Sequence, residues 1–127
     1  MARIKVTIVD DEEDFLKLIK TSLERTGQFE VVTINDPVNI IKDLSENQPQ
    51  VILLDILMPT MDGIEVCELL NRTIGLDKIP IIMVSALGED LDKLKAYKMG
   101  VVDFIVKPIT REDVIRKIEK AVGFNLN

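Results

Sequence analysis

The sequence has 127 residues, of which 46% are hydrophobic and 30% are charged, and it carries a formal net charge of −6 at pH 7. This size predicts a single domain over residues 1–127, able to bury roughly two-thirds of its unfolded surface. The excess of negative charge argues against direct nucleic-acid binding. No apolar run approaches the ~20 residues of a membrane span, so no membrane contact is expected. The apolar segment near the N-terminus stops at Asp10, too short for a secretory signal, which predicts a cytoplasmic location.

Five short runs rich in Val, Ile and Leu alternate with longer stretches of helical periodicity, which is the pattern of a parallel sheet covered by helices. The predicted strands are residues 5–9, 29–34, 51–54, 80–84 and 103–106. Several of these runs are nearly continuous in apolar residues instead of alternating with polar ones, which indicates burial on both faces of the sheet. The sequence therefore predicts the α/β class.

Five helices are predicted, at about residues 14–25, 36–46, 63–70, 90–99 and 110–122. The side chains expected to face the sheet are Leu16, Ile19 and Leu23 in the first helix, Val38, Ile41 and Leu44 in the second, and Val114, Ile118 and Val122 in the last. Asp11 or a neighbour is expected to cap the first helix, and Asp36-Pro37 begins the second with a cap and a first-turn proline. Thr110 and Asp113 fit a capping box loosely, because Asp replaces Glu or Gln.

Cys67 is the single cysteine, and the chain has no histidine. These counts exclude an internal disulfide, a Cys-His nucleophile pair, a zinc site of Cys and His, and every His-based catalytic triad. The chain also cannot carry a phosphohistidine of its own, and Cys67 is interpreted as a core residue.

Polar residues follow four of the predicted strands: Asp10 and Asp11 the first, Asp55 the third, Ser85 the fourth and Lys107 the fifth. Open parallel sheets bind ligands at the carboxyl ends of their strands, beside the point where the strand order reverses. We therefore expect these side chains to converge on one rim.

Each of these residues also has an ordinary structural explanation. Asp10-Asp11 is compatible with a solvated loop and helix cap, Ser85 with a turn, and Lys107 with a surface charge. Asp55 fits such an explanation poorly, because it ends an apolar strand in which an unpaired carboxylate would be costly. The functional interpretation therefore depends on the joint placement of the group.

Clustered carboxylates either raise one another's pKa values or share a cation, and Mg²⁺ prefers oxygen ligands of this kind. A carboxylate that accepts a phosphoryl group needs the charge on that group neutralised. The metal, the Lys107 ammonium and the Ser85 hydroxyl would supply this neutralisation.

Over about residues 4–122 the chain resembles the CheY-like receiver domains of two-component response regulators. The motifs that carry the resemblance are Asp10-Asp11, residues 55–63 (Asp-Ile-Leu-Met-Pro-Thr-Met-Asp-Gly), Val84-Ser85-Ala86 and Lys107-Pro108. The resemblance implies a five-stranded, doubly wound parallel sheet with flavodoxin-like strand order 2-1-3-4-5 and five helices. It also implies a cis peptide between Lys107 and Pro108.

The resemblance further implies a role for each site residue. Asp55 would be the phosphoacceptor, and Asp10, Asp11, Asp55 and the backbone carbonyl of Leu57 would bind Mg²⁺ or Mn²⁺. The chain would be a phosphorylated switch and not an enzyme, although it would assist its own phosphorylation and dephosphorylation.

Three other positions would act on the phosphoryl group or respond to it. Ser85, Lys107 and the backbone amide of Ala86 would bind the phosphoryl oxygens. Phe104 would be the aromatic switch residue that turns inward when Ser85 moves, at a position where tyrosine is commoner in the family.

The implied partners are a histidine kinase or histidine phosphotransfer protein, and an output domain or target protein. The donor would dock on Phe15, Leu18 and Ser22 of the first helix with Pro108-Ile109. The output face, formed by the fourth helix, fifth strand and fifth helix, would carry Lys93, Tyr97, Lys98 and Arg111.

Three alternatives share this fold or chemistry. A flavodoxin-like redox protein is disfavoured by the acidic run at residues 10–14, because this run repels the phosphate of a flavin. The chain also has no Trp and a single Tyr, Tyr97, so it lacks residues that would stack on a flavin ring. An aspartate-nucleophile phosphatase usually needs a second acid next to the nucleophile, where this chain has Ile56-Leu57. A non-phosphorylated binding module would be expected if the acceptor, a metal ligand or the lysine were missing.

Leu57 and Leu87 lie two residues past Asp55 and Ser85, at positions that flank the path of water to the phosphoryl group in receivers. Leucine cannot orient a water molecule by hydrogen bonding, whereas many relatives have polar residues there. We therefore expect slow autodephosphorylation compared with a variant carrying Leu57→Asn and Leu87→Glu. The alternative is that both leucines only pack on neighbouring helices and that water access is determined elsewhere.

Overall fold

All five predicted strands form, and they pair in one parallel sheet. Their bounds are Ile4–Val9 (β1), Phe29–Ile34 (β2), Val51–Asp55 (β3), Ile81–Ser85 (β4) and Val101–Val106 (β5). The computed structural model describes residues 2–59, 61–86 and 97–126, with side chains as far as residue 123. In the sheet the strands lie in the order β2-β1-β3-β4-β5. Each neighbouring pair is parallel, so the predicted strand order is confirmed.

The helices lie between and after the strands. They are α1 (Glu13–Glu24), a 3-10 helix (Pro37–Asn39) that continues into α2 (Ile40–Glu46), α3 (Gly63–Asn71) and α4 (Arg111–Leu126). The helix predicted at about residues 90–99 falls mostly outside the described residues, as do Leu87 and Lys93. None of the helices in the described ranges is both long and apolar enough to span a membrane.

The sheet is covered on both faces, and a separate apolar cluster lies on each. Leu16, Ile19 and Leu23 of α1 join Val114 and Ile118 of α4 in one cluster. Residues from α2 and α3, among them Ile40, Leu44, Val66, Cys67 and Leu70, form the other. Because β3 and β4 lie between the two clusters, each of their residues is buried, as their continuous apolar runs predicted.

The prediction for the second helix was wrong at Val38, which is 69% exposed, while Ile40 is buried in its place. The segment begins as a 3-10 helix, which has three residues per turn, so the residues that face the sheet differ from those of an α-helix. The cap itself is confirmed, because the Asp36 carboxylate accepts a hydrogen bond from the Val38 amide at 3.1 Å.

The starts of the first and last helices differ in their capping. Thr110 Oγ1 accepts a hydrogen bond from the Asp113 amide at 3.1 Å, as the loose capping box predicted. The cap residue of α1 is Glu12, whose side chain makes no capping bond. The Asp10 carboxylate instead accepts from the Glu12 amide at 2.9 Å, which holds the start of α1 against the end of β1.

Candidate functional site

The carboxyl ends of four strands bring the predicted polar residues to one edge of the sheet. Asp10 directly follows β1, Asp55 and Ser85 are the last residues of β3 and β4, and Lys107 directly follows β5. The strand order reverses between β1 and β3, so the acidic residues stand at the switch point where ligands bind in sheets of this kind.

Asp10, Asp11 and Asp55 form a cluster of oxygen donors. Each offers one carboxylate oxygen, and these atoms lie within 4.8 Å of one another. Asp10 and Asp55 are buried, whereas Asp11 is exposed. Three carboxylates at this separation form a donor set that suits a hard divalent cation such as Mg²⁺.

The Lys107 ammonium lies among the carboxylates and is closest to Asp10. Its Nζ is 3.0 Å from Asp10 Oδ2, 3.7 Å from Glu12 Oε1 and 4.0 Å from Asp55 Oδ2. Burial alone would lower the pKa of this ammonium, but the hydrogen bond to Asp10 and the charges of Asp55, Asp10 and Glu12 outweigh burial, so the pKa is raised. Lys107 therefore stays positively charged in the site.

Asp55 is poorly compensated for its burial. Desolvation, followed by the charge of Asp10, raises the pKa of Asp55 to about 6, against the lowering effects of Lys107 and of the Leu57 amide. The Leu57 amide donates to Asp55 Oδ1 over a long 3.3 Å. Local positive charge is therefore insufficient for the buried acids, which favours binding of a cation.

Ser85 and Phe104 lie on the two strands beside Asp55. Val84 pairs with Asp55 across the β3-β4 ladder, so Ser85 follows directly at the strand end, where it is buried. The Lys107 amide donates to the Ser85 carbonyl at 2.8 Å, which ties the two strand ends together. Phe104 is buried and contacts the Tyr97 ring edge to face, with 5.2 Å between the centroids. The bond between Lys107 and Pro108 is cis, as the resemblance implied.

Gly63 approaches the end of β3 closely. Glycine at a turn into a helix often has a positive φ, but the φ of Gly63 is not positive. A Cβ at this position would instead lie 2.7 Å from the Asp55 carbonyl oxygen and 2.8 Å from the Ile56 Cα, both backbone atoms. The Gly63 amide donates to the Ile56 carbonyl at 2.7 Å, so the absence of a side chain allows α3 to begin directly against the end of β3.

Two residues of the site were not predicted to belong to it. Glu12 adds a fourth carboxylate to the site, 3.7 Å from the Lys107 Nζ, and the centroid of the Phe15 ring lies 4.7 Å from the same nitrogen. Glu12 stands in the acidic run that the sequence shows, and Phe15 was assigned only to a docking surface. Both residues lie more than 90 positions from Lys107 in the sequence, so no local sequence pattern could have identified either contact.

Comparisons with known proteins agree with this geometry. The profile of the response regulator receiver domain matches residues 6–119. The chain is 34% identical over 115 residues to the alkaline phosphatase synthesis transcriptional regulatory protein PhoP of Bacillus subtilis (strain 168), covering 91% of this chain and 47% of that protein. The chain spans about half the length of the curated relatives it matches.

Solved structures show the same fold. Vibrio cholerae chemotaxis protein CheY4 superposes with a TM-score of 0.88 at 24% identity, covering 94% of this chain and 99% of that chain. The response regulator domain of Thermotoga maritima CheB gives a TM-score of 0.84 at 29% identity, covering 96% and 98% of the two chains. From the profile match, with the acidic rim and strand order already described, the chain belongs to the response regulator receiver domain family, whose members act as switches in two-component signalling.

Proposed function

We propose that the chain accepts a phosphoryl group on Asp55 from the phosphohistidine of a separate kinase or phosphotransfer protein. The observation that supports this most directly is the placement of a buried, weakly compensated carboxylate within 4.0 Å of the Lys107 ammonium and next to two further acids. The absence of histidine from the sequence is consistent with a donor on another molecule.

The transfer would proceed by attack of an Asp55 carboxylate oxygen on phosphorus. The new O–P bond forms an acyl phosphate while the P–N bond of the donor breaks, and the bonding electron pair stays on the imidazole nitrogen, which takes up a proton from water. Lys107 stabilises the negative charge of the phosphoryl oxygens, because its ammonium already lies beside the attacking carboxylate.

Asp10, Asp11 and Asp55 would hold Mg²⁺ or Mn²⁺, with the backbone carbonyl of Leu57 as a further ligand. The three carboxylates suit this ion by donor chemistry and by separation. When bound, the metal supplies positive charge next to the incoming phosphoryl group.

Three groups are proposed to bind the phosphoryl group or respond to it: the Ser85 hydroxyl, the Ala86 amide and the Phe104 side chain. Ser85 and Ala86 would bind phosphoryl oxygens, since Ser85 ends the strand beside β3. Phe104 lies on the neighbouring strand β5 and already contacts Tyr97, which is half exposed. Movement of Ser85 would therefore be transmitted to the surface around β5.

The donor is proposed to dock on a cavity of about 510 Å³ between α1 and the loop after β5. Its lining includes Phe15, Leu18, Ser22, Pro108, Ile109 and Arg111, together with Lys107 of the site itself. A donor seated there would lie next to the acceptor. The output surface is proposed to include the exposed side chains of Tyr97, Lys98, Val102, Val106 and Arg111, which would bind an output domain or a separate target.

Intact mass spectrometry after incubation with acetyl phosphate and Mg²⁺ tests this proposal. We expect the addition of one phosphoryl group, its loss in Asp55→Asn, and its retention in the matched control Asp77→Asn, which changes an exposed aspartate. A folded, metal-loaded parent that gains no mass, or an Asp55→Asn variant modified as fully as the parent, would contradict the proposal.

A further inference from the structure

The Lys107 ammonium lies over the face of the Phe15 ring, with 4.7 Å between the nitrogen and the ring centroid. A cation within about 6 Å of a ring centroid is attracted by the negative face of the ring. Phe15 follows Glu12 by three residues at the start of α1, and the Glu12 carboxylate is 3.7 Å from the same ammonium. The start of α1 therefore contacts Lys107 through two side chains.

Among the described residues, three carboxylates lie within 4.0 Å of the Lys107 ammonium. Asp10 is closest at 3.0 Å, and Glu12 at 3.7 Å is closer than Asp55 at 4.0 Å. The Glu12 side chain is 65% exposed, whereas that of Asp55 is 8% exposed. A lysine drawn to Glu12 would move toward solvent and away from the phosphoacceptor, and its four-carbon stem is flexible enough to allow this.

The Phe15 ring opposes that movement. The attraction between ring and ammonium is lost as the nitrogen leaves the ring face, and it is stronger where water is partly excluded. The Lys107 side chain is 18% exposed, so the ring contributes to a site from which most water is already removed.

We propose that Phe15 is a positioning residue for phosphoryl transfer, whose ring holds the Lys107 ammonium beside Asp10 and Asp55. This inference rests on the function proposed above. It is distinct from the docking role expected for Phe15, because a small donor such as acetyl phosphate needs no docking surface and would still depend on the ring.

The test is a series of Phe15 variants carrying one, two or three ring fluorines, compared by their initial rate of phosphorylation with acetyl phosphate at saturating Mg²⁺. Fluorine withdraws electron density from the ring face and changes the shape of the side chain little. We expect a progressive decrease that reaches about three- to tenfold with three fluorines, a similar loss in Phe15→Leu, and a retained rate in Phe15→Trp. Ile74→Ala is the control, since Ile74 is 99% exposed, belongs neither to the site nor to the lining of the docking cavity, and should leave the rate unchanged.

A double-mutant cycle identifies the route of the effect. In a Lys107→Ala background, fluorination of Phe15 should no longer change the residual rate. If the parent protein is not phosphorylated at all, the proposed function fails. If the parent is phosphorylated but its rate does not depend on fluorination, or if the dependence persists without Lys107, the positioning role is wrong while the proposed function stands.

Discussion

Asp55→Asn is expected to make the metal-free protein more stable, although it removes the proposed phosphoacceptor. Asp55 is 6% exposed, and burial, followed by the charge of Asp10, raises its pKa to about 6 from 3.8. An asparagine has nearly the same shape and carries no charge to desolvate. Its amide oxygen can still accept the hydrogen bond from the Leu57 amide, which measures 3.3 Å to Asp55 Oδ1.

The size of the gain follows from the pKa. A pKa of about 6 in place of 3.8 means that the charged form of Asp55 costs about 3 kcal/mol of folding free energy at neutral pH. Between these two pKa values the folded chain binds more protons at Asp55 than the unfolded chain, so the free energy of unfolding falls as the pH rises, and the full cost is present above about 6. We expect Asp55→Asn to gain about 1–3 kcal/mol at about pH 7.5 and roughly half as much at about pH 5.

Urea unfolding followed by circular dichroism, with EDTA present, measures this difference. Asp77→Asn serves as the control, because Asp77 is exposed and its replacement should change stability by less than about 0.5 kcal/mol at either pH. Adding Mg²⁺ should then stabilise the parent more than Asp55→Asn, since the variant lacks one of the three carboxylates proposed to hold the ion. A variant less stable than the parent at the higher pH, or a gain that is equal at both pH values, would refute the electrostatic reasoning.

Three further predictions concern the metal, the start of α3 and the phosphoryl lifetime. Asp11→Ala should weaken Mg²⁺ binding roughly tenfold or more in calorimetric titration, because it removes one of three clustered carboxylates. An unchanged affinity would show that Asp11 is not a metal ligand. Gly63→Ala should lower the free energy of unfolding in urea by about 1–3 kcal/mol, since the new Cβ would lie 2.7 Å from a backbone oxygen. In the control Gly123→Ala the new Cβ would meet open space, so this variant should not be destabilised. Equal stabilities of the two variants would contradict the close approach at Gly63. Leu57→Asn with Leu87→Glu should speed the decay of purified phosphoprotein, because polar side chains can orient the attacking water. Equal or slower decay in that double variant would show that water access is determined elsewhere.

The fold was predictable because its strongest signal is the burial of whole strands. Continuous apolar runs identified β3 and β4, which lie between two apolar clusters, and their bounds differ from the prediction by one residue at most. The start of β5 was less predictable: it begins at Val101 instead of residue 103, with Val102 half exposed and a register shift between Ile81 and Ile82 on the neighbouring strand. An edge strand of this kind is not fully buried on both faces, so its sequence lacks the continuous apolar run that identifies a buried strand.

The location of the site was predictable from topology, but its pairings were not. Because ligands bind at the carboxyl ends of parallel strands, the sequence predicted that Asp10, Asp55 and Lys107 lie close together. That rule says nothing about which acid the lysine approaches most closely, and the structure shows this to be Asp10 at 3.0 Å. The role of Gly63 was not predictable either, since a glycine required by close backbone approach looks the same in the sequence as a glycine required by a positive φ.

The two buried carboxylates of the site, Asp10 and Asp55, differ in how closely hydrogen-bond donors approach them, and this difference bears on the proposal that Asp55 is the phosphoacceptor. Asp10 accepts from the Glu12 amide at 2.9 Å and from the Lys107 ammonium at 3.0 Å, so both of its oxygens have close donors. Among the described residues, the hydrogen bond given for Asp55 is a long one of 3.3 Å from the Leu57 amide, and the Lys107 ammonium lies 4.0 Å away. A carboxylate oxygen that is already engaged by close donors is a weaker nucleophile than one whose lone pairs are less occupied. This difference supports the proposal that Asp55, and not Asp10, accepts the phosphoryl group, with Lys107 near enough at 4.0 Å to stabilise the charge of that group.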